Sequence, residues 1–292
     1  MQYTEGEIER ITALRQQGKT FPEIAAILNR TPTGVRRYAE RNHITIQPDS
    51  HEFIKVAFVN DFHIPFHDIT LLHLLYEFLA YFKPDKIFII GDLLDCYSLS
   101  FFDKDPTRLG RFQDELDVAN QVLNEFYRLC PEIEFYEGNH EARLTRHLKK
   151  NPQLYGLRCL EWSSLLFLRE RRIKFHPYSD PPSVFHRFHI HHGNLVRKWS
   201  GFTAKGNQEK YGGCGITGHS HRGGQFIKRN MDGFDGWWDN MCMCRLDPEW
   251  KAFPDWLQGW SVAYFTRKDL FHLEQIPVID HKFLFHGRLF GS

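Results

Sequence analysis

Short apolar runs that each stop at a metal-ligand type of residue constrain this chain more than any other feature. KVAFVN (55–60) stops at Asp61, KIFIIG (86–91) at Asp92 and IEFYEG (133–138) at Asn139. Between them lie a helical segment from Ile69 to about Phe82, with Asp68 placed to cap it, and a long amphipathic segment from about Leu109 to Cys130. Strands alternating with helices predict an α/β sheet, and such sheets bind ligands beyond the carboxyl ends of their strands. The three runs lead into DFH, GDLLD and GNHE, so carboxylate, amide and imidazole groups collect at one edge. The pattern continues in FHRFHIHHG (185–193), read as one strand ending at His192-Gly193, and in GCGITGHSH (213–221), which ends at His219 and His221.

Asp-x-His, Gly-Asp-x-x-Asp, Gly-Asn-His-Glu, His-Gly and Gly-His-x-His occur in that order, and together they closely resemble the signature of the calcineurin-like metallophosphoesterases. The resemblance covers roughly residues 53–292. It implies an α/β sandwich of two mixed β-sheets flanked by helices, in α-β-β-α layers. It also implies one metal on Asp61, His63, Asp92 and His221 and a second on Asp92, Asn139, His192 and His219, with Asp92 bridging. Carboxylate and imidazole ligands suit hard or borderline divalent ions, here Mn²⁺ first, with Fe or Zn open. Two such ions ~3.5–4 Å apart clamp a phosphoester, and a hydroxide bridging them would attack phosphorus in line. A bridging carboxylate suits this because each of its oxygens can serve a different ion. By the same resemblance His140 protonates the leaving oxygen or binds the phosphate, and Asp95 orients it. Arg143 would share a face with His140 if a helix begins there, and could reach a substrate phosphate.

Other histidines read as structural. His189 and His191 flank Ile190 on a strand face opposite His192. Cys242-x-Cys244 puts two thiols on one strand face, but no second pair has zinc-ligand spacing. The aromatic tail, NMCMCRLDPEW…DWLQGWSVAYF with FHLEQIPVI after it, reads as strands closing the second sheet. Its tryptophans suit core packing better than base stacking.

The first 45 residues carry three helix starts: capping boxes at Thr4/Glu7 and Thr20/Glu23, and Thr31 before Pro32. Ile8, Ile11 and Leu14, then Ile24, Ile27 and Leu28, then Val35, Tyr38 and Ala39 supply three apolar faces. The stretch GKTFPEIAAILNRTPTGVRRYAERN resembles the helix-turn-helix of resolvase-type and Myb-like DNA-binding domains. That resemblance makes Thr31 to Arg41 the recognition helix, with Thr33, Arg36, Arg37 and Arg41 toward DNA. A protein-binding trihelical adaptor is the alternative. The expected organisation is a helix-turn-helix domain at 1–45, a linker at 46–52 and the metallophosphoesterase domain at 53–292.

The overall balance of 37 Lys+Arg against 36 Asp+Glu excludes a polybasic coat but not a local patch. Six scattered cysteines without a CxxC pair, no apolar leader and no membrane-length apolar run predict a cytoplasmic protein without a membrane partner. GDLLDCYS lacks the Arg that follows the second Asp in serine/threonine protein phosphatases of this resemblance. Together with the helix-turn-helix, this favours a DNA-directed phosphodiesterase or nuclease. The alternative is a phosphomonoesterase, acting on phosphoprotein or nucleotide, that the N-terminal domain positions. A DNA-binding regulator with a dead hydrolase is disfavoured, since all seven ligand positions are filled. Oligomeric state stays open.

Overall fold

The computed structural model describes residues 3–291 apart from 17, 18, 20, 42–52, 131, 232, 249–252 and 268. The predicted linker, the Thr20 capping box and Trp250 lie outside the described residues. The chain divides into two compact units between Phe53 and Ile54.

The N-terminal unit holds α1 (Glu5–Gln16), α2 (Phe21–Ile27) and α3 (Pro32–Arg41). Thr4 and Glu7 form the reciprocal cap, with the Glu7 N–H on Thr4 Oγ1 at 3.3 Å and the Thr4 N–H on Glu7 Oε2 at 2.9 Å. Thr31 Oγ1 accepts from the Gly34 N–H at 3.2 Å and so caps α3. Ile11, Ile24, Ala25 and Val35 make a small core, with Leu14, Leu28 and Tyr38 packed on it. Ile27 does not join them; it is exposed. Arg30 ties the turn before α3 back to α1 through Glu7, at 2.9 Å. Thr33, Arg36 and Arg37 lie exposed on α3, and Arg41 is its last residue.

The larger unit runs β1 (Phe53–Val59), α4 (Ile69–Phe82), β2 (Lys86–Ile90), α5 (Phe112–Leu129), β3 (Ile133–Tyr136), α6 (Ala142–Lys150), α7 (Trp162–Leu165) and β4 (Lys174–His176). Then come β5 (Ser183–Phe185), β6 (Phe188–Ile190), α8 (Phe202–Tyr211), β7 (Cys214–Thr217), β8 (Gly224–Asn230) and β9 (Gly233–Asp239). It closes with β10 (Gly259–Thr266), β11 (Phe271–Pro277), β12 (Phe283–Phe285) and β13 (Arg288–Phe290). One sheet has the order β11-β10-β1-β2-β3-β4, with β1 to β4 parallel; the other has the order β5-β6-β7-β9-β8. Strand periodicity divides β1 between two cores. Ala57 and Val59 pack with Phe78, Leu79, Leu123 and Phe126 of α4 and α5, whereas Val56 and Phe58 face Phe188, Ile190, Ile216 and Trp238 of the second sheet. With α8 against β7, β8 and β9, the layers are α-β-β-α. Burial on both faces explains why these strands read as unbroken apolar runs.

Three local expectations are corrected. Residues 185–193 are not one strand: His186 and Arg187 both take positive φ (47° and 64°) and turn the chain between β5 and β6. The tail does not close the second sheet. Strands β10 and β11 extend the first, because Trp260 and Val262 pack toward α4 while Ala263 and Phe265 fill the inter-sheet core. Cys242 and Cys244 lie on no strand, since each makes only an isolated bridge, to Gln258 and to His67.

Candidate metal centre

The loops after β1, β2, β3, β6 and β7 converge beyond the strand ends. Two close groups form there: Asp61, His63 and His221, and Asp92, His192 and His219. In the first, His221 Nε2 lies 3.3 Å and His63 Nε2 3.7 Å from Asp61 Oδ1, and the two imidazole nitrogens are 3.0 Å apart. In the second, His192 Nε2 lies 3.3 Å from Asp92 Oδ2 and 3.0 Å from Asn139 Oδ1. Asp92 Oδ2 is also 3.7 Å from His63 Nε2, so one oxygen looks into both groups. Asp92 Oδ1 accepts the His140 N–H at 2.9 Å.

The local backbone is bent to make this possible. Asp61, His63, Asp92, His219 and His221 all have positive φ, between 51° and 74°, a conformation non-glycine residues adopt only when their surroundings demand it. Gly138 must lack a side chain because a Cβ there would run into the Asp92 carboxylate and backbone nitrogen. Glu141, quoted in GNHE but given no role by the sequence, is fully buried and gathers the N–H groups of Asp92 (3.0 Å), Leu94 (2.8 Å) and Gly138 (2.8 Å). It binds the β2 loop to the β3 loop. Burial and the adjacent Asp92 charge push its carboxyl up to about 8.

Hydrogen bonds set the imidazole tautomers. The His192 Nδ1–H donates to the Ile90 carbonyl at 2.8 Å, which turns Nε2 toward Asp92 and Asn139. His63 Nδ1 donates to Asp95 Oδ1 at 3.0 Å, so its Nε2 likewise faces inward. His221 is backed less firmly, by Cys244 Sγ at 3.8 Å from Nδ1. Cys242 and Cys244 lie within 4.8 Å of a His221 ring nitrogen, so the thiols border the centre through a residue roughly twenty positions earlier. Burial would raise Asp61, but His221, His63 and His192 outweigh it and hold the carboxyl far below its usual range. Burial alone would lower His192; Asp92 overcomes this and holds it up to about 9, while burial and the His192 charge push His219 down to about 4. Asp61 Oδ1 is buried without a hydrogen-bond partner among the described residues. Oxygen and imidazole donors converging on that orphaned atom fit hard or borderline divalent cations.

His140 stands beside this centre. Its Nδ1 lies 2.9 Å from the Asp95 carbonyl and 3.0 Å from Asp95 Oδ1, and its Nε2 3.9 Å from Asp92 Oδ2. Asp95 therefore anchors both His63 and His140. Arg143 donates to the Asp95 carbonyl at 2.8 Å and reaches His140 Nε2 at 3.1 Å. By contrast, His189 stacks on Trp237 and His191 meets Tyr211, away from the ligands. The Trp256 ring packs edge-on against His221, with centroids 4.2 Å apart, whereas Trp237, Trp238 and Trp260 are buried in the cores.

The family model for calcineurin-like phosphoesterase matches residues 54–271. Gene 54 protein of Mycobacterium phage L5 is 24% identical over 253 residues, which cover 80% of this chain and 98% of that protein. Vacuolar protein sorting 29 from Cryptosporidium parvum is similar in structure over 81% of this chain and 94% of its own, at 12% identity and a TM-score of 0.43. Pseudomonas putida nuclease MPE is similar over 75% of this chain and 86% of its own, at 13% identity and a TM-score of 0.33. No helix among the described residues is long and apolar enough to cross a membrane.

Proposed function

Because this chain belongs to the calcineurin-like phosphoesterase family and is thus a metal-dependent phosphoester hydrolase, we propose that it is a two-metal phosphodiesterase acting on DNA. The observation that carries the two-metal reading is Asp92 Oδ2, which faces the imidazoles of both ligand groups. Asp61, His63, Asp92 and His221 would hold one ion; Asp92, Asn139, His192 and His219 would hold the other. Bound there, divalent ions supply Lewis acidity to the phosphoryl oxygens and lower the pKa of a water. The chain's own groups do the rest. Asp95 holds the His140 Nδ1–H, so Nε2 is the atom that faces the leaving oxygen, and it would protonate that oxygen as the imidazolium, with a second proton on Nε2. Arg143 donates to that same Nε2 in the present geometry. A substrate phosphate would draw the guanidinium away, which binds the anion and frees His140 at once.

DNA as the substrate is supported by the N-terminal unit, whose α3 exposes Thr33, Arg36 and Arg37. A DNA-holding module raises the local concentration of phosphodiester without adding a catalytic contact. The test is a time course of end-labelled DNA with the Mn²⁺-loaded protein and Asp92→Asn alongside. Shortened strands with wild type alone support the reading. Release of the terminal phosphate label from intact strands would replace it with a phosphomonoesterase.

A further inference from the structure

Helix α6 begins two residues after His140 and carries ARLTRHLKK, four fixed cations and no acid. Arg143, Arg146, His147 and Lys150 fall at i, i+3, i+4 and i+7, which is one stripe of a helix, and Lys149, three residues after Arg146, borders it. Leu144 and Leu148 are buried on another face. The stripe starts inside the centre. Arg143 touches His140 and Asp95, and the Arg146 guanidinium donates to the carbonyl of Asn139 at 2.7 Å. It then runs outward, and Arg146, His147, Lys149 and Lys150 are exposed. Lys149 and Lys150 make no ion pair among the described residues.

Helix stability accounts for only part of this composition: His147, Lys149 and Lys150 lie in the last turn, where cations favour the carbonyl end, but Arg143 lies in the first turn, where they are disfavoured. The geometry points to a phosphate track: α6 binds the sugar-phosphate backbone of a nucleic-acid strand leading out of the metal centre. From Arg143 to Lys150 the stripe is about 10 Å long at 1.5 Å per residue. Each strand of a duplex carries a charge about every 3.4 Å of helix axis, so a track of this length spans at most about three phosphates beside the scissile one. This rests on the nucleic-acid reading above, and adds that the larger unit has its own contact with the polymer.

The test compares two substrates of the full-length Mn²⁺-loaded protein. Bis(4-nitrophenyl) phosphate is too short to reach beyond Arg143, whereas a single-stranded oligonucleotide can lie along the helix. Lys149→Gln/Lys150→Gln is expected to lower kcat/KM on the oligonucleotide roughly tenfold at low salt. It should also flatten the slope of log kcat/KM against log salt by about 1.4, two single-strand contacts at ~0.7 each. The small diester should be cleaved as before, and Lys149→Arg/Lys150→Arg should restore the oligonucleotide rate. Oligonucleotide cleavage with unchanged rate and slope overturns the track alone, as does an equal loss on both substrates. Wild type that hydrolyses the small diester but leaves the oligonucleotide whole overturns the nucleic-acid reading, and the track with it.

Discussion

The two sheets equip the centre in different ways: the first contributes mostly oxygen donors set in a bonded frame, the second contributes only imidazoles with lighter support. After β1, β2 and β3 come Asp61, His63, Asp92 and Asn139, and their loops are stitched together by Glu141, by Asp95 and by main-chain bonds such as Asp61 N–H to the Gly91 carbonyl at 3.1 Å. After β6 and β7 come His192, His219 and His221. The first of these is anchored to the other sheet, at the Ile90 carbonyl, and the last by a thiol at 3.8 Å. Both halves have main-chain support, including the His219 N–H on Asp61 Oδ2 at 2.9 Å, but the His221 ring has only a thiol behind it where His63 has a carboxylate. Cations shared between the halves would fasten one sheet to the other.

The harshest break is Asp92→Asn, which changes the one atom common to both groups. Turnover should fall to background, and metal analysis should find neither ion retained, against two per chain in wild type. His219→Ala touches only the second-sheet half and should cost a single ion. Equal metal content in the two variants would remove the distinction between a shared and an unshared ligand.

Next in size is removal of metal. A ligand that binds only the folded state at a hundred times its Kd stabilises by about 2.7 kcal/mol per site. Chelation should therefore lower Tm by several degrees, and hydrogen exchange should rise first in the loops after β6 and β7. Faster exchange around Glu141 instead would show that the first-sheet frame is not preformed.

Asp95→Asn comes third. It weakens the support of both His63 and His140, and outer-shell changes of this kind cost about 10–100-fold in metal affinity or activity. Titrating Mn²⁺ against activity separates the two roles: a raised metal requirement reports His63, and a lower plateau at saturating metal reports His140.

The residues gathered in the candidate centre were legible in the sequence because each stands within a few residues of a strand end, where local pattern and chemistry coincide. What was hidden is long-range or conformational. WSVAYF alternates equally well for either sheet, so only the packing of Trp260 and Val262 toward α4 reveals which one it joins. His186-Arg187 is not a pair that announces a turn, yet both residues take positive φ. Glu141 looked like part of a motif rather than a clasp, since its three N–H donors come from two separate loops. The basic stripe on α6 was readable residue by residue, but only its start at Asn139 and His140 gives it a direction.

The smallest effect is expected at Cys244, the second-sheet counterpart of Asp95. A thiol is a weak acceptor, and 3.8 Å from Nδ1 it orients His221 far less than a carboxylate at 3.0 Å orients His63. Cys244→Ala should therefore raise the metal requirement by less than the roughly tenfold lower bound of an outer-shell loss. Trp256 and the surrounding loop would still hold the ring by packing. Cys244→Asp supplies the missing strong partner and, if it folds, should tighten metal binding at the His221 group. A Cys244→Ala loss as large as that of Asp95→Asn would mean that the thiol is a true anchor, and that the second-sheet half is as firmly preset as the first.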